Sequence, residues 1–83
     1  MARLIINMYF KTDEYVVEVN KYNGEGLLEE SRIYEGVKQV VLSNLVVRIN
    51  RQLHAQPWSL IVEAENPVVE FKEKSLLYVY EKK

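Results

Sequence analysis

The sequence predicts an α+β fold, in which an antiparallel sheet of about five strands carries one central helix packed across one face. Two observations predict this fold. Apolar and polar residues alternate with a period of two near both ends of the chain, which is typical of strands with one buried face. Between these regions, residues 37–54 lose strict alternation and place apolar residues at helical spacing. The predicted order is β-β-(β)-α-β-β-β, a two-layer sandwich.

Composition indicates a single domain spanning residues 1–83, with 48% apolar and 28% charged residues. These values are ordinary for a globular protein and argue against disorder. The absence of cysteine excludes disulfides and thiolate chemistry and favours a cytoplasmic location. No signal peptide is visible and no stretch has the length of a membrane span, so we expect no membrane association. The formal net charge of −1 gives no global attraction to nucleic acid.

The first two predicted strands form a hairpin. Residues 3–10 and residues 15–22 both alternate, and the polar residues 11–14 join them. The side chains expected to be buried in the sheet are Leu4, Ile6, Met8, Val17 and Val19, together with Leu60 and Val62 of a later strand. Phe10 and Tyr15 lie on the same inner faces by alternation.

The segment Asn23-Gly24-Glu25-Gly26 is the clearest turn in the chain, because Asn-Gly readily adopts the positive φ angles of a tight hairpin turn. Two interpretations of the following residues 27–35 remain open. They form either a third strand or the first turns of the helix, with Ser31 as its N-cap. A turn that directly follows a strand favours the third strand.

Residues 37–54 are predicted to be the central helix. Leu42, Leu45, Ile49 and Leu53 fall on one side at helical spacing and would dock on the sheet. The many β-branched residues oppose this prediction, because they favour strands. The alternative is a long buried strand. The break in strict alternation and the length of the segment favour the helix.

The C-terminal part of the chain predicts three more strands, after Pro57 ends the helix. They cover residues 58–64, 68–71 and 76–80, separated by an Asn66-Pro67 turn and a charged loop. In the last strand, Leu77 and Val79 alternate with the other residues and are placed on the outer face of the sheet.

Catalytic signals are scarce. His54 is the only histidine, and its position at the predicted helix end suits the helix dipole without any ligand role. Glu63 and Glu65 share a strand face, but they lie beside a turn, where a solvated pair is the simpler interpretation. No nucleophile motif or phosphate loop is present. We therefore predict no enzyme activity, no metal and no cofactor.

Two apolar surfaces predict association with another protein. The first is the outer sheet face, where Ile5, Tyr9, Val16 and Tyr22 would leave more apolar area exposed than a small monomer tolerates. The second is a short heptad seam on the predicted helix, which consists of Val37, Val40, Asn44, Val47 and Arg51. An asparagine within such a seam commonly sets register and oligomeric state. The seam predicts a homodimer, and another protein is a second possible partner.

The functional prediction is thus a small non-enzymatic intracellular protein-interaction module that self-associates as a homodimer. The alternative is a nucleic-acid-binding or regulatory domain. Residues 32–54 carry four basic residues against one acidic residue, a local balance of +3, and Arg48 and Arg51 would share one helix side. A third and weaker possibility is that the acidic residues 13–30 dock a basic partner.

Overall fold

A computed structural model describes residues 1–43, 45–51 and 58–82, with the side chains of 46–51 and of Trp58 left outside the description. These residues form eight strands and no helix. The strands are β1 (Ala2–Lys11), β2 (Glu14–Tyr22), β3 (Leu28–Val37), β4 (Gln39–Ser43), β5 (Val46–Arg51), β6 (Trp58–Ala64), β7 (Pro67–Lys72) and β8 (Leu76–Glu81).

The strands make two sheets. Sheet A has five strands in the order β3-β2-β1-β6-β5, and every neighbouring pair in it is antiparallel. Sheet B has three strands in the order β4-β8-β7, with β4 parallel to β8 and β7 antiparallel to it. The two sheets share one apolar core, so the architecture is all-β, with sheet packed on sheet.

The predicted α+β class and its central helix are therefore wrong. Residues 37–51 contain the end of β3, all of β4 and all of β5. Each strand has its own phase of alternation, and the breaks near Lys38 and before Val46 shift that phase. Because of these shifts, the apolar residues of three successive strands happened to fall at helical spacing in the sequence. The many β-branched residues, by contrast, correctly indicated strands. Leu53, His54 and Pro57 lie outside the described residues, so the predicted helix end is not tested there.

The core contains one face of each sheet. Leu4, Ile6, Val17 and Val62 are at most 1% exposed and lie at the positions where the alternation predicted them. The register explains their meeting, because Ile6 is opposite Val19 in β2 and opposite Leu60 in β6. Full burial of side chains of this size stabilises the fold by roughly 1.5–3 kcal/mol each. Phe10, which alternation placed on the inner face of the first strand, is 57% exposed at the hairpin end.

Leu77 and Val79 are also core residues, each 0% exposed, and their predicted place on an outer face is wrong. The prediction assumed one sheet covered by a helix. With a second sheet in place of that helix, β8 turns these two side chains toward sheet A. Leu42 and Leu45, expected to pack on the core from a helix, pack against it from β4 and from the residue before β5.

The chain between β2 and β3 turns where the sequence predicted a turn, but the positive φ angle occurs at Gly26 and not at Asn23 or Gly24. The side-chain oxygen of Asn23 accepts hydrogen bonds from the backbone N–H groups of Glu25 and Leu27, at 2.9 and 3.0 Å. Gly26 has a φ of 84°, which only glycine adopts without steric cost. The turn leads directly into β3, so residues 28–35 belong to a strand and not to the start of a helix.

A bulge marks the other end of β3. Tyr15 pairs with Val37 while Val17 pairs with Tyr34, so β3 has one residue more than β2 between these pairs. Gly36 lies within the bulge with a φ of 74°. The chain then crosses to sheet B, where the N–H of Lys38 donates to the carbonyl of Ser75 at 2.8 Å. Sheet A is thus regularly paired along β3 from Glu30 to Tyr34.

Candidate interaction surface

The outer face of sheet A is the face turned away from the core. All four residues predicted to form an outer sheet face lie on it, because Tyr9 pairs with Val16, and Ile5 and Tyr22 alternate with the buried residues of the same strands. Tyr9 is 44% exposed, and the other three are half-buried. The structure brings the four together as a sheet surface, whereas their role in binding stays a prediction.

A row of polar side chains crosses this outer face and joins four strands. The Ser59 hydroxyl donates to Asn7 Oδ1 at 2.8 Å, and Asn7 Nδ2 donates to Glu18 Oε1 at 3.0 Å. Asn20 Nδ2 donates to the same Glu18 oxygen at 3.1 Å. The row ends at the edge strand, where the Ser31 hydroxyl donates to Asn20 Oδ1 at 2.6 Å.

The hydrogen bonds of this polar row satisfy side chains that would otherwise lie unpaired on the sheet. One carboxylate oxygen of Glu18 accepts from two amide groups, an arrangement that a charged acceptor makes stronger than neutral pairs. Ser59 is only 3% exposed and is satisfied through Asn7. Within the described residues, no buried side-chain nitrogen or oxygen lacks a partner. The row thus divides the outer face, with Tyr9 and Val16 on one side of it and Tyr22 on the other.

The strand β3 forms one edge of sheet A. Among the described strands its only neighbour in the sheet is β2. The first six residues of β3 are all exposed, and they include Leu28 at 55% and Ile33 at 64%. Leu27, just before the strand, is 60% exposed. The most exposed apolar side chains of the described chain, apart from Met1 and Phe10, therefore cluster on this edge.

The two-residue hairpin loop determines which backbone groups of β3 point outward. Lys11 pairs with Glu14 across it, and such a closing pair exchanges backbone hydrogen bonds. By alternation, the even-numbered residues of β2 bond to β1 and the odd-numbered ones bond to β3. Consistent with this, the N–H of Asn23 donates to the carbonyl of Leu27 at 2.9 Å.

The same alternation continues into β3. Arg32 and Tyr34 pair with Val19 and Val17, whose backbone groups face β3. Within the regularly paired stretch from Glu30 to Tyr34, the odd-numbered residues Ser31 and Ile33 therefore direct their N–H and C=O groups away from β2. An outward row of this kind is a template on which another strand can pair.

No family model, no curated protein and no solved structure matches this chain. The functional argument therefore rests on the geometry of the chain itself.

The predicted helix seam is wrong because it requires a helix. Val37 ends β3 and is 0% exposed in the core, and Val40 is a half-buried residue of β4. Val47 and Arg51 lie in β5, and Asn44 lies outside the described residues. Residues on three strands in two sheets do not form one heptad stripe.

The residues of the nucleic-acid alternative, Arg48 and Arg51, both lie in β5. Their positions pair with Ile61 and Trp58 respectively, and residues three apart on a strand occupy opposite faces of the sheet. The common helix side that motivated the alternative is therefore absent. Their side chains are outside the description, and nucleic-acid binding stays a prediction.

Two clefts lie at the rims of the sandwich. One has a volume of about 500 Å³ beside the Asn23 turn and is lined by Arg3, Tyr22 and Glu63 among others. The other, of about 310 Å³, lies between β3 and β7 and has Leu4, Val19 and Val69 against the charged Lys21, Glu30 and Arg32. In the part of the chain that the structure describes, no group of three His, Asp or Glu side chains could hold a metal ion. That same part has no helical segment with the length and apolar character that crossing a bilayer takes.

One carboxylate on sheet B has a perturbed pKa. The Tyr80 hydroxyl donates to Glu70 Oε1 at 2.6 Å, and Lys72 Nζ lies 3.3 Å from Glu70 Oε2. The hydrogen bond from Tyr80, and next the contact with Lys72, hold the pKa of Glu70 below its ordinary value. The same hydrogen bond raises the pKa of Tyr80. Neither residue stood out in the sequence, because they meet only through the register of β7 and β8.

We expect the substitution Tyr80→Phe to raise the pKa of Glu70 toward its ordinary value, because the neutral donor that favours the carboxylate is removed. A lowered pKa stabilises the fold at pH values above the ordinary carboxyl range, and this contribution is lost as pH falls through the lowered pKa. The acid limb of the stability profile should therefore become shallower in the variant. NMR titration of the Glu70 side chain measures the shift, with Tyr78→Phe as the matched control. An unchanged Glu70 pKa in Tyr80→Phe would contradict the assignment.

Proposed function

We propose that this chain is a small, non-enzymatic protein-interaction module, which binds another polypeptide along the edge of sheet A at β3 and the outer face beside it. The single observation that carries the proposal is the edge itself. It has ten residues with only one neighbouring strand among those described, and it exposes Leu28 and Ile33.

The protection of sheet edges supports this proposal. Proteins that need to keep an edge solvated use proline, charged side chains such as lysine, bulges or very short strands there. The strand β3 contains no proline and no lysine; it does carry charged side chains of both signs, and its pairing with β2 is irregular at both ends, around Glu29 and around Gly36. From Glu30 to Tyr34 the strand is regular and presents an outward row of backbone groups. Strand addition needs this combination of length, regularity and exposure.

The apolar residues on the outer face of sheet A are a second observation that supports the proposal. The half-buried Ile5, Val16 and Tyr22, together with the exposed Tyr9, lie on the same side of sheet A as Ile33. A partner strand beside β3 would extend this face without a break. The cysteine-free sequence fits a cytoplasmic protein, and that location is part of the proposal.

Site-specific photo-crosslinking tests the proposal. A benzoylphenylalanine replaces Ile33, which lies on the outward edge and is 64% exposed, and in the control it replaces Phe10, which is 57% exposed but lies near the end of β1. We expect crosslinked products from position 33 in cells that express the chain, and few from position 10. Equal yields from both positions, or no product from position 33, would overturn the proposal.

A further inference from the structure

We infer that the polypeptide that pairs with β3 is the β3 strand of a second copy of this chain, antiparallel and centred on Ser31. This inference rests on the proposed function and names its partner. The result is a symmetric dimer, in which two five-stranded sheets join edge to edge. A twofold axis perpendicular to the sheets passes between the two Ser31 residues, so both copies contribute the same residues to the interface.

Symmetry restricts the possible registers. A twofold axis perpendicular to a sheet keeps each side chain on its own face, so residues that pair must both be odd-numbered or both even-numbered. The centre of the pairing is therefore a single residue. The regular part of the edge offers five such centres, namely Glu30, Ser31, Arg32, Ile33 and Tyr34.

The charges of the side chains favour one of these five centres. A centre at Glu30 places two carboxylates directly opposite each other, and a centre at Arg32 does the same with two guanidinium groups. A centre at Ile33 or at Tyr34 brings no opposite charges together. A centre at Ser31 places Glu30 of each copy opposite Arg32 of the other copy, twice, and like charges directly opposite are destabilising while opposite charges stabilise.

The side chains are already arranged for this register. Within one copy, Arg32 Nη2 lies 3.2 Å from Glu30 Oε2, and both side chains are more than half exposed. The pairing closes the two existing ion pairs into a square of alternating charge.

The backbone geometry agrees with the same centre. Ser31 is one of the residues whose N–H and C=O groups point away from β2, so two Ser31 residues can exchange both backbone hydrogen bonds across the axis. On the outer face, the polar row ends at Ser31, so the rows of the two copies meet at the axis.

Charge reversal tests the register while leaving the fold of the monomer in place. Light scattering on a sizing column across a range of concentrations measures the molar mass of the wild-type chain, and we expect a dimer. Arg32→Glu converts both cross-strand pairs into repulsions and should weaken dimerisation by about tenfold or more. The double variant Glu30→Arg with Arg32→Glu exchanges the charges, restores the complementary pairs and should return the affinity to near that of the wild type. Circular dichroism confirms that each variant is folded.

Disulfide trapping tests the centre directly, because the chain contains no cysteine of its own. Ser31→Cys should form an intermolecular disulfide under mild oxidation, since the Cα atoms of paired residues lie about 5.5 Å apart, within disulfide range. Ile33→Cys is the control, because residue 33 of one copy pairs with residue 29 of the other. The two thiols in this control therefore lie too far apart to bond.

Three results would overturn the inference: a monomer at all concentrations, a dimer that Arg32→Glu does not weaken, or equal disulfide yields at positions 31 and 33. Each is distinguishable from failure of the proposed function. If the chain stays monomeric but still crosslinks through position 33 to a different protein, the proposed function as an interaction module stands. Only the inference that the partner is a second copy of the chain is then overturned.

Discussion

Leu77→Ala is expected to destabilise the fold by about 2–5 kcal/mol, the usual cost of truncating a leucine in a packed core. Leu77 is 0% exposed and belongs to the core cluster between the two sheets. A loss of this size is comparable to much of the total stability of a small domain, so a sizeable fraction of the variant would unfold at 37 °C. Urea unfolding followed by circular dichroism gives the change in free energy.

Leu76→Ala is the matched control, because the neighbouring leucine is half-buried on the opposite face of β8. The same atoms are deleted one residue away, and we expect a clearly smaller loss. Equal losses from the two substitutions would mean that β8 does not turn Leu77 toward sheet A. The pair of variants thus tests the replacement of the predicted helix by a second sheet.

Asn7→Asp is expected to cost about 1–3 kcal/mol at neutral pH, through the polar row. The change keeps an acceptor for the Ser59 hydroxyl but replaces the Nδ2 donor, 3.0 Å from Glu18 Oε1, with a second carboxylate oxygen. The two like charges then face each other across the hairpin. Protonation of either carboxyl restores a donor, so the loss relative to wild type should shrink as pH falls and grow as pH rises through the carboxyl range.

The measurement is urea unfolding of variant and wild type at pH 7 and at pH 4. Asn66→Asp provides the control, since Asn66 is exposed in a turn and adds the same charge away from the row. A loss that is the same at both pH values, or no greater than that of Asn66→Asp, would contradict the hydrogen bond between Asn7 and Glu18.

Local alternation in the sequence was sufficient to predict most strands of this fold. The faces of β1 and β2 followed from the period of two, and the turn at Asn23-Gly24 correctly indicated a third strand. Alternation failed where short strands follow one another with little between them. Between Val37 and Val46 the chain changes sheet, and each change shifts the phase, which no single-period pattern can represent.

The candidate site was predictable only in part. The apolar outer residues such as Tyr9 and Val16 followed from the strand phases, and the hairpin loop even places Asn7 opposite Glu18. The link from Asn7 to Ser59 spans 52 residues and depends on the pairing of β1 with β6, which no local pattern contains. The exposed edge at β3 depends on strand order, a property of the whole sheet.

The central place of β1 in sheet A has a consequence for the folding reaction. Its first partner, β2, follows after a two-residue loop, so this hairpin can form within microseconds. Its second partner, β6, begins at Trp58 and leaves the ribosome some fifty residues later. During that interval the β1–β2–β3 meander presents the edge of β1 as well as that of β3. We therefore expect slow final closure, governed by the long-range β1–β6 pairing, and a tendency of truncated or stalled chains to aggregate.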